Sequence, residues 1–176
     1  MSHLPRPAAA PAEPPILDAL TGIASEHLFW HLLSKAVLRA ERQSYNLALL
    51  AIYVQGLSAL NEAHGVEAGD AALRVVASRL AGRLRKSDSI ARLGGTKFAV
   101  LVEAMTEDAD VQLVAESLIE TLAEPIATAA GDIQLAVSIG IALYPRTAAT
   151  ADALLAAAVT AMDEAVAAGP NSYRLA

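Results

Sequence analysis

The sequence predicts an α/β (α+β) fold, a mixed and mostly antiparallel sheet with helices packed against its faces. Three observations carry that prediction. NLALLAIYV is a short apolar run with polar chain on either side, the pattern of a buried strand. SIARLGGTKFAVLVE and IATAAGDIQLAVSIGIALYP each read as a hairpin. Between them lie stretches whose apolar residues recur at helical spacing, and helices interleaved with hairpins give a layered sandwich.

The elements follow in order. MSHLPRPAAAPAEPP holds five prolines among small residues and no apolar core of a signal peptide, so residues 1–16 are expected to form an extended leader and 17–176 the domain. SEHLFWHLLSKAVLRAERQ places Leu28, Leu32, Leu33, Ala36 and Val37 on one helical stripe. NLALLAIYV follows as a strand. The segment 55–88 holds a short helix, a glycine break and a longer helix striped by Leu73, Val76, Leu80 and Leu84. The first hairpin is expected to turn at Gly94-Gly95, where positive φ is needed. TEDADVQLVAESLIETLAEP is an amphipathic helix with Thr106 as its expected N-cap. The second hairpin is expected to turn at Gly131-Asp132 and to end at Pro145. A last helix runs from near Thr150 to a C′ glycine, Gly169, and NSYRL forms a final short strand.

Composition narrows the function classes. A chain of 176 residues suits one domain with a sizeable core. Mean hydropathy is +0.41, but much of it is alanine, and no apolar run approaches the roughly 20 residues that cross a bilayer, so no membrane insertion is expected. A formal charge of −6 argues against nucleic acid as partner, although a small nucleotide needs only a local basic spot. With no cysteine, thiol chemistry and disulfides are excluded, which accords with a cytoplasmic location.

Six landmarks then stand in order: DALTG at 18–22, GLSALNEAHG at 56–65, AGDAALRVVASRL at 68–80, ARLGGTKFAVLV at 91–102, SIGIALYP at 138–145 and AAGPNSYR at 167–174. With them the chain resembles a degenerate GGDEF domain of the diguanylate cyclase family, from about Leu17 to its C-terminus. The resemblance implies a palm-like nucleotidyl cyclase sheet. In that family two GTP molecules are joined into cyclic di-GMP across a homodimer, with Mg²⁺ held by carboxylates. The resemblance puts Tyr53 where the first metal carboxylate belongs. It puts Gly94, Gly95, Thr96, Lys97 and Phe98 on the signature, with Thr96 at a normally acidic place and Lys97 at that of a glutamate. The phosphate-anchoring Lys and Arg correspond to Val166 and Pro170. No metal, no cofactor and no cyclase activity are therefore expected.

Two other sets of residues are kept. Asn61 and Asp70 match the family's guanine-reading asparagine and aspartate, with helix capping as the alternative reading. RKSD at 85–88 matches the family's inhibitory RxxD site for cyclic di-GMP, five residues ahead of Gly94. Arg85 can fork onto guanine and Asp88 can accept from its other edge, while Arg83 and Lys86 add positive charge. The alternative is a solvated helix end. The family's further arginine falls near Ser117, so that support is missing.

His27 and His31 stand at i, i+4, a spacing that can hold zinc. No third ligand is evident nearby apart from Glu26, and a structural helix face is the better reading. His64 reads as packing, and Phe29 and Trp30 as core or a helix-dimer surface. The expectation is a catalytically inactive receptor for cyclic di-GMP, signalling by contact with an unidentified protein or within a homodimer. Its rivals are a nucleotide-independent scaffold, a GTP- or GDP-binding pseudoenzyme using Asn61, Asp70 and the backbone from Gln55 to Ser58, and residual cyclase activity.

Overall fold

The computed structural model describes residues 12–129 and 131–176. The leader's first eleven residues lie outside that range. Its last residues are tied down: the Ser25 hydroxyl donates to the Pro15 carbonyl (2.6 Å) and the Ser25 amide to that of Ile16 (3.0 Å). The ordered chain thus begins slightly ahead of the expected boundary.

The elements are α1 (Glu26–Gln43), β1 (Asn46–Gln55), α2 (Leu57–His64), α3 (Val66–Arg83), β2 (Ser89–Gly94), β3 (Lys97–Met105), α4 (Ala109–Ala123), β4 (Ile126–Thr128), β5 (Gly131–Ile133), β6 (Ala136–Tyr144), α5 (Ala151–Ala168) and β7 (Ser172–Leu175). The main sheet has the order β2-β3-β1-β6-β7, antiparallel throughout except where β7 joins β6 in parallel. That exception follows from α5, which carries the chain back to the start of the sheet before β7.

β1 is the centre, and its unbroken hydrophobicity follows from covering on both faces. Ala48, Leu50, Ile52 and Val54 pack with α2, α3 and α4, while Leu47, Leu49 and Ala51 pack with α1 and α5. The expected stripe of the long helix holds: Leu73, Val76 and Leu80 are buried and Leu84 packs at its end. On β6, Gly140 faces α5 so closely that an added Cβ would lie 2.0 Å from the Ala158 carbonyl oxygen and 2.1 Å from the Met162 amide nitrogen. Small residues, Ala158, Ala161 and Ala165, bring the helix backbone down onto the strand there.

Four expectations need correction. The buried face of α1 is Phe29, Leu33, Ala36, Val37 and Ala40, with Leu28 and Leu32 only half-buried, because the larger ring takes the inward position. Helix α4 starts at Ala109 behind Asp108, not at Thr106, since β3 runs on to Met105 and Thr106 is spent in the turn that leaves it. The first turn comprises Gly95 and Thr96, with Gly94 still paired to Lys97. A register shift after Arg92 moves it by one residue, and both glycines keep positive φ (105° and 54°).

The second hairpin is split. β4 and β5 form a small ribbon with Thr128 opposite Gly131, so Gly131 and Asp132 belong to a strand rather than to the turn. Strand β6, apolar on both sides, is taken up by the main sheet between β1 and β7, because a three-residue exposed strand could not cover it.

Candidate functional site

The β2–β3 turn lies beside the end of β1. The register pairs Tyr53 with Lys97 on one side and with Ser138 on the other, and the Val54 amide donates to the Thr96 carbonyl (2.9 Å). Tyr53 is half-buried and leans into the α1–α5 layer, Thr96 is half-buried, and Lys97 is exposed. Phe98 is fully buried in the opposite layer and serves the core. Lys97 forms no ion pair among the described residues, and no group of three or more His, Cys, Asp or Glu there converges as a metal site. The turn offers an ammonium, a hydroxyl and a phenol, and magnesium takes none of these in place of carboxylates. Val166 and Pro170, at the end of α5, are exposed and carry no charge.

A clamp that sequence reasoning did not assign holds this turn. Arg92 on β2 donates from Nε (3.0 Å) and Nη2 (2.8 Å) to the Gly95 carbonyl, and from Nη1 to both oxygens of Asp18 (3.1 and 3.3 Å). Asp18 in turn accepts from the Thr21 amide (2.9 Å) and hydroxyl (2.6 Å). The DALTG turn is thereby fastened along the outer edge of β2, where the Arg92 amide also donates to the Ala24 carbonyl. Burial pushes the Asp18 carboxyl up, but the Thr21 hydrogen bonds and the Arg92 charge outweigh it and hold its pKa below the ordinary value.

A depressed carboxylate stabilises the fold above its unfolded pKa, about 3.9, and that contribution is lost as pH falls through the folded value. The melting temperature of the wild type should therefore exceed that of Asp18→Asn at neutral pH, with the gap closing below about pH 4. A gap that stayed constant down the acid limb would contradict this role for Asp18.

The RKSD segment forms a compact turn between α3 and β2. Asp88 accepts from the Arg85 amide (3.0 Å) and, more weakly, from its guanidinium (3.4 and 3.5 Å). The Arg85 side chain is 60% exposed, whereas that of Asp88 is 4% exposed beneath it. A bulge in β3 sets the back wall: between the pairs Ala48–Val102 and Asn46–Met105 the strand gains one residue, and Ala104 adopts a positive φ of 52°. The bulge aims the Glu103 carbonyl at Arg85 Nη2 (3.0 Å) and the Glu103 carboxylate at Arg39 (2.7 Å) and the Tyr45 hydroxyl (3.4 Å).

Beside this turn is a cavity of about 250 Å³ lined by Arg83, Arg85, Asp88, Ala104, Asp110 and Val114, among others. Arg83, Arg85 and Lys86 against Asp88 give residues 83–88 a local charge of +2 in a chain of −6. Ser117 is half-buried one turn beyond Val114, so α4 presents a carboxylate, Asp110, to the cavity rather than an arginine.

Asn61 and Asp70 are neighbours through Gly69. Neither caps a helix: Asn61 is inside α2 and Asp70 inside the second turn of α3, so the capping alternative is withdrawn. Gly69 lets Asn61 in, since a Cβ there would lie 1.9 Å from Asn61 Oδ1, an oxygen that is buried without a hydrogen-bond partner. Among the set-aside residues, Phe29 is core, Trp30 is half-buried, and His27, His31 and His64 are exposed.

Comparison with known proteins places this geometry. Residues 16–172 match the family model "Diguanylate cyclase, GGDEF domain". The chain is 38% identical over 160 residues to the diguanylate cyclase TpbB of Pseudomonas aeruginosa, covering 90% of this chain and 37% of TpbB. It is 36% identical over 156 residues to the bifunctional diguanylate cyclase/cyclic di-GMP phosphodiesterase MucR of the same organism, covering 89% of this chain and 23% of MucR. The chain thus spans well under half the length of either relative. Among solved structures, the GGDEF domain of TpbB superposes with a TM-score of 0.88 at 38% identity, over 91% of this chain and 94% of that one.

Proposed function

The chain belongs to the GGDEF-domain family of diguanylate cyclases, and from that membership we propose that it reads cyclic di-GMP through Arg85 and Asp88 without making it. The observation that carries this reading is the contrast between its two sites. Arg85 and Asp88 share one exposed turn, backed by the β3 bulge and set beside a cavity in a locally positive region. At the Gly94-Gly95 turn, by contrast, Tyr53, Thr96 and Lys97 supply no carboxylate.

The chemistry follows from these groups. Joining two GTP molecules requires Mg²⁺ to neutralise triphosphate charge and activate a hydroxyl, and an ammonium at Lys97 repels that ion. Reading the product requires only recognition. The Arg85 guanidinium forks onto guanine O6 and N7, and the Asp88 carboxylate accepts from the base's N–H edge. Because Arg85 covers Asp88, it must swing aside first. Its contacts to Asp88 at 3.4 and 3.5 Å are long, so little is lost in doing so. A cavity of about 250 Å³ suits one base, leaving the phosphodiesters over Arg83 and Lys86. Output passes to a protein partner or a second copy, which demands that the ligand favour one conformational or oligomeric state over another.

The expected result with GTP and Mg²⁺ or Mn²⁺ is no dinucleotide product on prolonged incubation. Product formation would overturn the reading. A second reading, GTP or GDP held by Asn61 and Asp70, is favoured by the orphaned Asn61 Oδ1. Guanine-nucleotide binding lost in Asn61→Ala but kept in Arg85→Ala would select it.

A further inference from the structure

The first two turns of α1 carry a feature that the nucleotide sites leave unused. His27 and His31 are both exposed, on the side of the helix away from buried Phe29 and Leu33. Their ring centroids are 4.8 Å apart with planes at 85°. Among the described residues neither imidazole is engaged in a hydrogen bond or ion pair, so their nitrogens are free to take a ligand. The packed helix face expected from the sequence is therefore not what these two residues form.

We propose that His27 and His31 chelate one transition-metal dication of the zinc, nickel or copper class. The spacing fits. With a metal–nitrogen bond of about 2.05 Å, an imidazole centroid stands about 3.2 Å from the ion. Two centroids 4.8 Å apart then subtend about 97° at the metal, between the right angle of octahedral or square-planar sites and the tetrahedral angle. An unstrained α-helix supplies this separation, because i and i+4 lie one above the other on one face.

Imidazole selects borderline metals over magnesium and calcium, which prefer oxygen. No third donor converges among the described residues, so the remaining positions stay open to water or to a donor from another molecule, and the ion is exchangeable rather than structural. This site is separate from the Arg85–Asp88 turn: α1 packs on the sheet face opposite α3 and α4.

The test is calorimetric titration of the full chain with Zn²⁺ and Ni²⁺, using Mg²⁺ as the control cation. The chain has four histidines, so single Gln variants of His3, His27, His31 and His64 cover every imidazole. One ion should bind per chain. His27→Gln and His31→Gln should each weaken binding about tenfold or more, since the second imidazole acts at high effective concentration. His3→Gln and His64→Gln should bind as the wild type does, and Mg²⁺ should give no saturable heat. Unchanged helicity by circular dichroism would show that the variants are folded. Absence of saturable Zn²⁺ and Ni²⁺ binding, or equal losses in His3→Gln or His64→Gln, would overturn the chelate.

Discussion

Gly140→Ala should cost about 3 kcal/mol or more of stability, a drop in melting temperature of roughly 6–12 °C for a domain of this size. The added methyl would meet the Ala158 carbonyl oxygen at 2.0 Å and the Met162 amide nitrogen at 2.1 Å, both helix backbone. Nothing there can rotate away. Relief requires α5 to lift from the sheet, opening the layer of Ala51, Ala142, Ala158 and Met162. Gly69→Ala makes the informative comparison, for its clash is with the end of the Asn61 side chain. Asn61 can swing aside, and alanine gains about 1 kcal/mol over glycine inside a helix, so the net change in stability should be small. Thermal melts of the two variants check the argument. Equal losses would show that the close approach of α5 to β6 is not what Gly140 provides.

Arg85→Ala should weaken cyclic di-GMP binding about ten- to a hundredfold, the worth of a forked contact to guanine. Fold stability should move by no more than about 0.5 kcal/mol, because the side chain is 60% exposed and its contacts to Asp88 are long. Asp88→Ala is the poorer probe. Its carboxylate accepts the Arg85 amide at 3.0 Å, so its loss disturbs the turn as well as the ligand. Arg85→Lys should recover little, since a single ammonium cannot fork across a base edge. Calorimetry with matched melts separates these effects. Full affinity in Arg85→Ala would move the binding site elsewhere.

Fold class and element order were legible because the strongest signals are local. The run through β1 announces a strand covered on both faces, and Thr150 and Gly169 bracket α5 as its caps. The misplaced elements are those where a local signal met a tertiary demand. Gly131-Asp132 is a good turn sequence, yet β6 is claimed by β1 and β7, and the ribbon turns earlier. Thr106 is a good cap, yet the bulged β3 uses the chain up to Met105.

The candidate site was visible only in part. The spacing of Arg85 and Asp88 could be read along the chain. The wall behind them could not, because it depends on Ala104 taking a left-handed φ. The Asp18–Arg92 clamp joins residues 74 positions apart, and one sequence does not record such a pairing. Gly140 and Gly69 looked like ordinary glycines until the elements they face were in place.

The measurement that bears most directly on the central claim is calorimetric titration of the wild-type chain with cyclic di-GMP, run beside GTP and GDP. Saturable micromolar binding of cyclic di-GMP, tighter than that of either mononucleotide, is the predicted result. No heat with cyclic di-GMP from a folded protein would contradict the receptor reading and leave a nucleotide-independent scaffold.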